Sequence, residues 1–192
     1  MRLAVASRRK PVLLLDVDGV LNVIGPNNKN SLVRLKDGHS FHPTRHVLPF
    51  MRWAWPLFEV VWCTAWRAGA NAIADWAGLP RVRVADEPPS RIRRIKRLAK
   101  RKRKATPEEW LKVNGDWKVD AVKAMLDRRR CPVFWLEDGL SEQAHQWVAK
   151  RPQTHYVATD SFEGVTPAHV KILAELAGLP HPGGDDGRQP RS

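Results

Sequence analysis

Cysteine, tyrosine and acidic residues are scarce in this chain of 192 residues. It has two cysteines and one tyrosine, and its 20 aspartates and glutamates are outnumbered by 33 lysines and arginines. Two cysteines exclude a disulfide framework, and no cluster of cysteine and histidine has the spacing of a zinc site. Because Cys63 and Cys131 lie in or beside predicted core strands, we interpret both as buried thiols of a protein in the reducing cytoplasm.

Long apolar runs are also missing. No run is long enough to cross a membrane, and the basic residues 1–10 lack the apolar stretch of a secretory signal. Hydrophobic residues nevertheless make up 43% of the chain, which is sufficient for one globular domain with its own core. We expect a single domain over residues 1–180, followed by a disordered tail, 181–192, rich in proline, glycine and charge.

The excess of positive charge is a local feature. Ten of the 14 residues in 91–104 are lysine or arginine, and without them the formal net charge of +13 would fall to +3. Apolar residues recur there at helical spacing, which predicts an amphipathic basic helix within an insert at about residues 86–110. Such charge favours anionic partners, among them nucleic acid, phosphorylated metabolites and acidic surfaces, although a merely solvated face is the alternative. The candidate nucleic-acid contacts are Arg91, Arg93, Arg94, Arg97, Lys100 and Arg101.

The most informative segment is a short apolar run that ends in two aspartates. Residues 11–15 are apolar and lead into Asp16 and Asp18, with Gly19 directly after them. A continuous apolar run is typical of a strand buried on both faces of a parallel sheet, and ligands of such sheets bind at the carboxyl ends of the strands. Two close carboxylates repel each other and favour a cation between them. The alternative is a plain acidic turn. An EF-hand loop fits poorly, because its glycine belongs two positions later.

Strands and helices alternate along the rest of the chain. After a first strand at Val12–Leu15, strands are predicted from residue 55 or 57 to 63, and at 81–84, 131–136 and 155–158. Helices are predicted at 65–77, 117–126, 141–149 and 167–178, and a hairpin around Asp37-Gly38 over residues 32–41. The pattern predicts an α/β fold, a doubly wound, Rossmann-like parallel sheet of about five strands with helices on both faces.

Further polar residues follow the later strands or open a helix. Thr64 follows the second core strand, Lys118 opens a helix, and Glu137 and Asp138 follow the strand at 131–136. A hydroxyl can bond a phosphate oxygen, an ammonium can neutralise a transferring group, and acidic oxygens suit Mg²⁺. Each also has a structural interpretation. Thr64 is a good strand residue, Lys118 competes with Lys123 on the same helix, and the acidic pair could be a polar turn.

The order of these residues resembles the haloacid dehalogenase-like (HAD) superfamily over about residues 11–176. The chain carries the Asp-x-Asp motif, the threonine, the lysine and the acidic pair in the same order as the superfamily. The amino-acid sequences of three motif segments are similar to those of small superfamily members that lack a large cap module. Some of these members are assigned to RNA repair systems. The matching segments are Asp16-Val-Asp-Gly-Val-Leu-Asn22, Trp62-Cys-Thr-Ala-Trp-Arg67 and Phe134-Trp-Leu-Glu-Asp138.

The resemblance implies a Mg²⁺-dependent phosphatase in one catalytic domain. Asp16 would be the nucleophile that forms an aspartyl-phosphate, and Asp18 the general acid and base. Thr64 and Lys118 would hold the phosphoryl group. The metal ligands would be Asp16, the backbone carbonyl of Asp18, and the pair Glu137 and Asp138. This pair is Asp-Asp in many members, which leaves open which of the two touches the metal. An aspartate at position 18 favours phosphatase over dehalogenase.

The substrate class stays open at this point. The short segments between the motifs leave room only for a hairpin and the basic insert, so we expect an open site suited to nucleic-acid ends or phosphoproteins, with nucleotides and sugar phosphates as alternatives. The second hypothesis is a nucleic-acid-binding protein with this fold and little or no catalysis. Trp110 and Trp117 could stack on bases. Packing is the default for Trp62, Trp66, Trp76 and Trp135, and surface positions for His39, His42 and His46.

Overall fold

The computed structural model describes residues 10–23, 25, 32–86, 93, 96, 97 and 117–180. Most of the predicted basic helix and the tail at 181–192 therefore lie outside the described residues. Arg93, Lys96 and Arg97 are described and are helical and exposed. None of the described helices is long and apolar enough to cross a membrane.

A five-stranded parallel sheet carries the fold. In chain order the strands are β1 (Val12–Leu15), β2 (Val33–Arg34), β3 (Ser40–Phe41), β4 (Glu59–Trp62), β5 (Arg83–Val84), β6 (Val133–Glu137) and β7 (Thr154–Ala158). The order across the main sheet is β5-β4-β1-β6-β7, and every pair in it is parallel. The separate pair β2-β3 is the predicted hairpin, and it is antiparallel. The predicted Rossmann-like α/β fold is confirmed.

Within the described ranges 32–86 and 117–180, five helices and one 3₁₀ turn connect the strands. They are α1 (Val47–Leu57), the 3₁₀ turn (Arg67–Ala70), α2 (Asn71–Trp76), α3 (Trp117–Leu126), α4 (Glu142–Lys150) and α5 (Pro167–Ala177). The predicted end of α3 at Leu126 is confirmed, and α5 spans the predicted residues up to Ala177, with Gly178 as its C-cap. α5 starts with a capping box at Thr166 and ends at Gly178, whose φ of +62° is the left-handed conformation that glycine adopts readily.

Strand β1 lies at the centre because it is apolar on both faces. Leu13 and Leu15 pack into one core cluster, while Val12 and Leu14 pack into a second cluster on the other side of the sheet. All four residues are fully buried. Cys63 and Cys131 are buried free thiols, as predicted. The central strand therefore fixes the first aspartate of the motif at the middle of one sheet edge.

The prediction for the start of the second core strand is wrong. Residues 55–57 belong to the last turn of α1, and β4 begins only at Glu59. The buried residues of α1 recur at helical spacing, at Val47, Phe50, Met51, Ala54 and Trp55. Pro56 lies in the last turn of α1, where its missing N–H removes one backbone hydrogen bond while the apolar face of the helix still packs on the sheet.

Candidate active site

The first motif leaves β1 at the carboxyl edge of the sheet. Asp16 is buried, and its Oδ1 accepts a hydrogen bond of 2.7 Å from the backbone N–H of Val17. Gly19 follows with a φ of +73°, and a Cβ at that position would lie 2.1 Å from Oδ2 of Asp138. Only glycine allows both the turn and this close approach. The turn therefore brings the first motif against the acidic pair that follows β6.

Lys118 lies between two of these carboxylates. Its Nζ is 2.8 Å from Oδ2 of Asp16 and also contacts Oε1 of Glu137. The Lys118 side chain is only 16% exposed, whereas Lys123 on the same helix is an exposed residue. Burial lowers the pKa of Lys118, but Asp16 and Glu137 outweigh it and hold that pKa above its usual range. Of the two lysines considered, the structure brings Lys118 to the carboxylates.

Glu137 is the last residue of β6 and has both oxygens engaged. Oε1 contacts Lys118, and Oε2 accepts a hydrogen bond of 2.9 Å from the indole Nε1–H of Trp135. Burial and the nearby charge of Asp16 raise the pKa of Glu137 to about 8, against the opposing pull of Lys118. The longer glutamate side chain thus spans from the strand end to the lysine.

Asp138 is held from two sides at the same edge. Its Oδ2 accepts a 2.7 Å hydrogen bond from the hydroxyl of Ser161, in the loop after β7, and it packs against Gly19. The Thr159 hydroxyl, in the same loop, donates to the carbonyl of Gly19 at 2.9 Å. The loop after β7 therefore fixes the first motif and the acidic pair relative to each other.

Three carboxylates form a candidate metal centre. One oxygen each from Asp16, Glu137 and Asp138 lie within 4.8 Å of one another. Hard carboxylate oxygens at such spacing fit Mg²⁺, and the lack of a Cβ at Gly19 lets the Asp138 carboxylate lie against the first motif. The residues present therefore fit the metal that the sequence resemblance implies.

Thr64 lies at the same edge of the sheet as the aspartates, but its side chain is buried from solvent. It lies just after β4, the neighbour of β1, and its side chain is buried. Its Oγ1 accepts the backbone N–H of Trp66 at 3.3 Å, which stabilises the turn that follows the strand. Contact between Thr64 and a phosphoryl group stays a prediction.

Asp18 is bonded through both carboxylate oxygens. Oδ1 accepts 2.7 Å from Nδ2 of Asn22, and Oδ2 accepts 2.8 Å from the indole Nε1–H of Trp66. Packing is the predicted role of Trp66, and Asn22 enters the prediction only as part of a motif, so neither hydrogen bond was expected. The available signal was their position, because Asn22 closes the first motif and Trp66 follows Thr64 by two residues.

The residues predicted to contact nucleic acid are mostly outside the described part of the chain. Of the six, Arg93 and Arg97 are described, and both are exposed and helical. Trp117, one candidate for stacking on bases, instead lies under the guanidinium of Arg67, 3.8 Å from the ring centroid. Trp62 and Trp135 are fully buried as expected. Trp76 is 36% exposed but still packs edge-on against the buried ring of Phe41, with 5.3 Å between the ring centroids.

Comparison with known families identifies this arrangement. A family model described as the HAD domain in Swiss Army Knife RNA repair proteins matches residues 12–170. The chain belongs to this family. The match begins at β1, ends within α5 and includes all six predicted catalytic and metal-binding positions. No match was found among curated proteins or among solved structures. HAD domains are generally hydrolases or phosphatases and usually use Mg²⁺, so the acidic cluster of this HAD domain agrees with a hydrolytic site.

Proposed function

We propose that this HAD domain is a Mg²⁺-dependent phosphatase that acts through an aspartyl-phosphate on Asp16. The observation that carries the proposal is the 2.8 Å contact between Lys118 Nζ and Asp16 Oδ2, beside two further carboxylates. These residues are 102 positions apart in the chain and meet in a buried place. A structural ion pair needs only one carboxylate, whereas Lys118 contacts two and a third lies in the same cluster.

The residues divide the reaction between them. An oxygen of Asp16 attacks phosphorus and forms the acyl-phosphate bond as the ester bond breaks. Asp18 gives its proton to the departing oxygen and then takes a proton from water. That water attacks phosphorus, releases inorganic phosphate and restores the Asp16 carboxylate. Lys118 offsets the negative charge of the phosphoryl group throughout, and Thr64 donates a hydrogen bond to it.

Asp16, Asp138 and the backbone carbonyl of Asp18 would hold Mg²⁺, with Glu137 beside them. Both oxygens of Glu137 are engaged by Lys118 and Trp135, which supports a role in holding the lysine, and supports Asp138 as the direct ligand of the pair. When bound, the metal supplies positive charge that stabilises an in-line phosphoryl displacement.

The proposed substrates are phosphorylated nucleic-acid ends or nucleotides. The family description names RNA repair proteins, and the dense positive charge of residues 91–104 supports a polyanionic substrate. We further propose that residues 1–180 form one catalytic domain, with an insert at 86–110 that binds nucleic acid. The two core clusters on opposite faces of one sheet support a single domain.

The decisive experiment is a phosphatase screen of the full chain with Mg²⁺. Its substrates are oligonucleotides phosphorylated at the 3′ or 5′ end, mononucleotides and sugar phosphates. We expect Asp16→Asn to abolish turnover without loss of folding, and Asp120→Asn, an exposed aspartate on α3, to be neutral. Substantial activity of the Asp16 variant, or full activity in EDTA, contradicts the proposal. Strong oligonucleotide binding without hydrolysis of any phosphoester favours the non-catalytic alternative.

A second experiment tests the role of the basic segment. Each phosphate neutralised on single-stranded nucleic acid releases counterions, with a salt slope of about −0.7 per contact. Replacing Arg93, Arg94, Arg97 and Lys100 by serine should weaken oligonucleotide processing and flatten its salt dependence, while p-nitrophenyl phosphate hydrolysis stays unchanged. The control replaces four other cations, Lys36, Arg52, Lys123 and Lys150, all exposed in the structure. If neither substrate responds, the nucleic-acid assignment fails and the phosphatase assignment stands.

A further inference from the structure

The carboxylate of Asp18 is held differently from the other acids of the site. Asp16 and Glu137 both contact the ammonium of Lys118, whereas the Asp18 side chain accepts hydrogen bonds from two neutral N–H groups. Asn22 donates to one oxygen at 2.7 Å and Trp66 donates to the other at 2.8 Å. One hydrogen bond on each oxygen restricts the Asp18 carboxylate to a single orientation.

Both donors are themselves fixed. Oδ1 of Asn22 accepts the backbone N–H of His42 at 2.8 Å, which orients its amide so that Nδ2 faces Asp18. The backbone N–H of Trp66 donates to the Thr64 hydroxyl at 3.3 Å, so the indole is tied to the turn after β4. The two donors therefore connect Asp18 with two separate segments of the chain.

The hairpin over residues 32–41 contacts the two donors to Asp18 through histidines in and next to it. The ring of His39 stacks on the indole of Trp66 with 4.9 Å between the ring centroids, and His39 Nδ1 lies 3.0 Å from Oδ2 of Asp37. His42, whose N–H orients Asn22, follows the hairpin directly. Residues on both sides of β3, His39 before it and His42 after it, thus contact the two donors to Asp18.

We propose that Asn22 and Trp66 are positioning residues that clamp the Asp18 carboxylate, and that the hairpin supports this clamp through His39 and His42. The inference rests on the proposed function, in which Asp18 gives a proton to the leaving group. A fixed carboxylate delivers that proton along one direction, and loss of either donor lets it rotate away from the leaving oxygen. The clamp acts on proton delivery and leaves nucleophilic attack by Asp16 intact.

Leaving-group dependence separates this role from a general structural one. Departure of p-nitrophenolate needs little protonation, whereas departure of an alkoxide from an alkyl phosphate depends on it. The ratio kcat/KM reports the step in which the ester bond breaks, while the later hydrolysis of the aspartyl-phosphate is common to all substrates. A defect in the clamp therefore lowers kcat/KM for alkyl phosphates selectively.

The experiment uses the full chain with Mg²⁺ and two substrates, p-nitrophenyl phosphate and phenylethyl phosphate. We expect Trp66→Phe, which keeps a ring for His39 to stack on, to lower kcat/KM for the alkyl phosphate about tenfold, the order of one lost hydrogen bond to a charged group. The aryl phosphate should change by less than about twofold. Asn22→Ala should give the same pattern and replaces the first variant if that one fails to fold. His39→Ala should give a weaker version of it.

The matched control is Trp53→Phe. Its Nε1–H donates to the carbonyl of Pro180 at 3.0 Å, away from the candidate site, so the change removes an equivalent bond without touching Asp18. We expect no change in the ratio between the two substrates. Equal losses for both substrates in Trp66→Phe and Asn22→Ala, or no loss for either, overturn the clamp.

A measurement without turnover tests the clamp separately from the proposed function. The indole N–H signal of Trp66 in a proton–nitrogen NMR spectrum is identified by its absence in Trp66→Phe. In Asp18→Ala this signal should shift and exchange faster with solvent, because its acceptor is gone. An indole signal that does not respond overturns the clamp, whatever the activity. A responding signal in a protein without phosphatase activity leaves the hydrogen bonds standing and rejects the proposed function.

Discussion

The central sheet has charged groups at the amino ends and at the carboxyl ends of its strands. The ratio of cations to acids differs between these two edges. At the amino edge, Glu59 opens β4 and pairs with the guanidinium of Arg129, with 2.7 Å between Oε1 and Nη1, while Arg83 lies 3.9 Å from the same oxygen. At the carboxyl edge, among the described residues, Lys118 is the cation that contacts the cluster of Asp16, Glu137 and Asp138. Cations exceed acids at the first edge, and acids exceed cations at the second.

This difference is more informative than cavity size. The two larger cavities, of about 630 and 830 Å³, are lined by residues near the amino edge such as Lys10, Glu59 and Pro132. The cavity beside Lys118 and Glu137 has only about 340 Å³. Crowded carboxylates with too few cations are unfavourable in the free protein, so they indicate a site that a cation and an anionic substrate complete. A carboxylate that a guanidinium already neutralises, as Arg129 neutralises Glu59, indicates a structural role.

The largest expected effect is at the carboxyl edge. Lys118→Met should lower kcat/KM by about 100- to 1,000-fold, as does the loss of one preorganised charge-stabilising donor in other enzymes. Lys123→Met, an exposed position on the same helix, is the control and should be neutral. Phosphatase assays of both variants give the comparison, and an equal effect of the two changes would remove the distinction between the edges.

Gly19→Ala should disturb the same edge through packing. The added Cβ would meet Asp138 at 2.1 Å, and the φ of +73° adds backbone strain. Gly78→Ala is the matched control, because its φ is +69° but no atom lies within 4 Å of the added Cβ. The control should lose about 1 kcal/mol of unfolding free energy from strain alone, and Gly19→Ala more than that together with most of its activity. Urea unfolding and phosphatase assays measure both, and equal stability losses would contradict the close packing of Gly19 on Asp138.

The amino edge should respond in stability alone. Arg129→Met removes the partner of the partly buried Glu59, and we expect a loss of about 1–3 kcal/mol in the free energy of unfolding. The value of kcat/KM should stay within about twofold of the wild type, because we expect the pair to play no part in the chemistry. A large loss of activity in the folded variant would mean that this edge, too, takes part in function.

The last expected effect is a pH dependence of the stability of the metal-free protein. The pKa of Glu137 is raised to about 8, so the native state binds more protons than the unfolded state between the ordinary glutamate range and that value. Stability should therefore fall as pH rises through this window, and added Mg²⁺ should offset the fall by binding the native state. Thermal unfolding measures both changes, with shifts of roughly 2–4 °C per kcal/mol.

A comparison of Glu137→Gln with Glu59→Gln tests which edge of the sheet causes this pH dependence of stability. The first variant removes the titrating group, so its stability should vary less with pH over the same window. The second changes a carboxylate at the amino edge and should keep the fall seen in the wild type. If Glu137→Gln retains the full pH dependence, the crowding at the carboxyl edge is not its cause.

The sequence by itself determined the elements with local causes. The apolar run of β1, the periodicity of α3, and the capping box and terminal glycine of α5 are complete within a few residues, so their limits were predicted correctly. The order of the acidic, hydroxyl and basic residues also indicated the family before any geometry was known. Where a helix and a strand adjoin without a polar break, as at residues 55–59, local pattern failed, because packing on the sheet decided the boundary.

Only the tertiary structure decided which side chains act together. Parallel strands joined by crossovers bring their carboxyl ends to one edge, so residues 48 and 102 positions apart meet there. The position of Lys118 at the start of α3 favoured it over Lys123. Spacing along the chain carries no information, however, on whether Trp66 donates to Asp18 or only packs. Direction and distance between such groups arise when β1, β4 and β6 pair in register, and that pairing depends on the whole core.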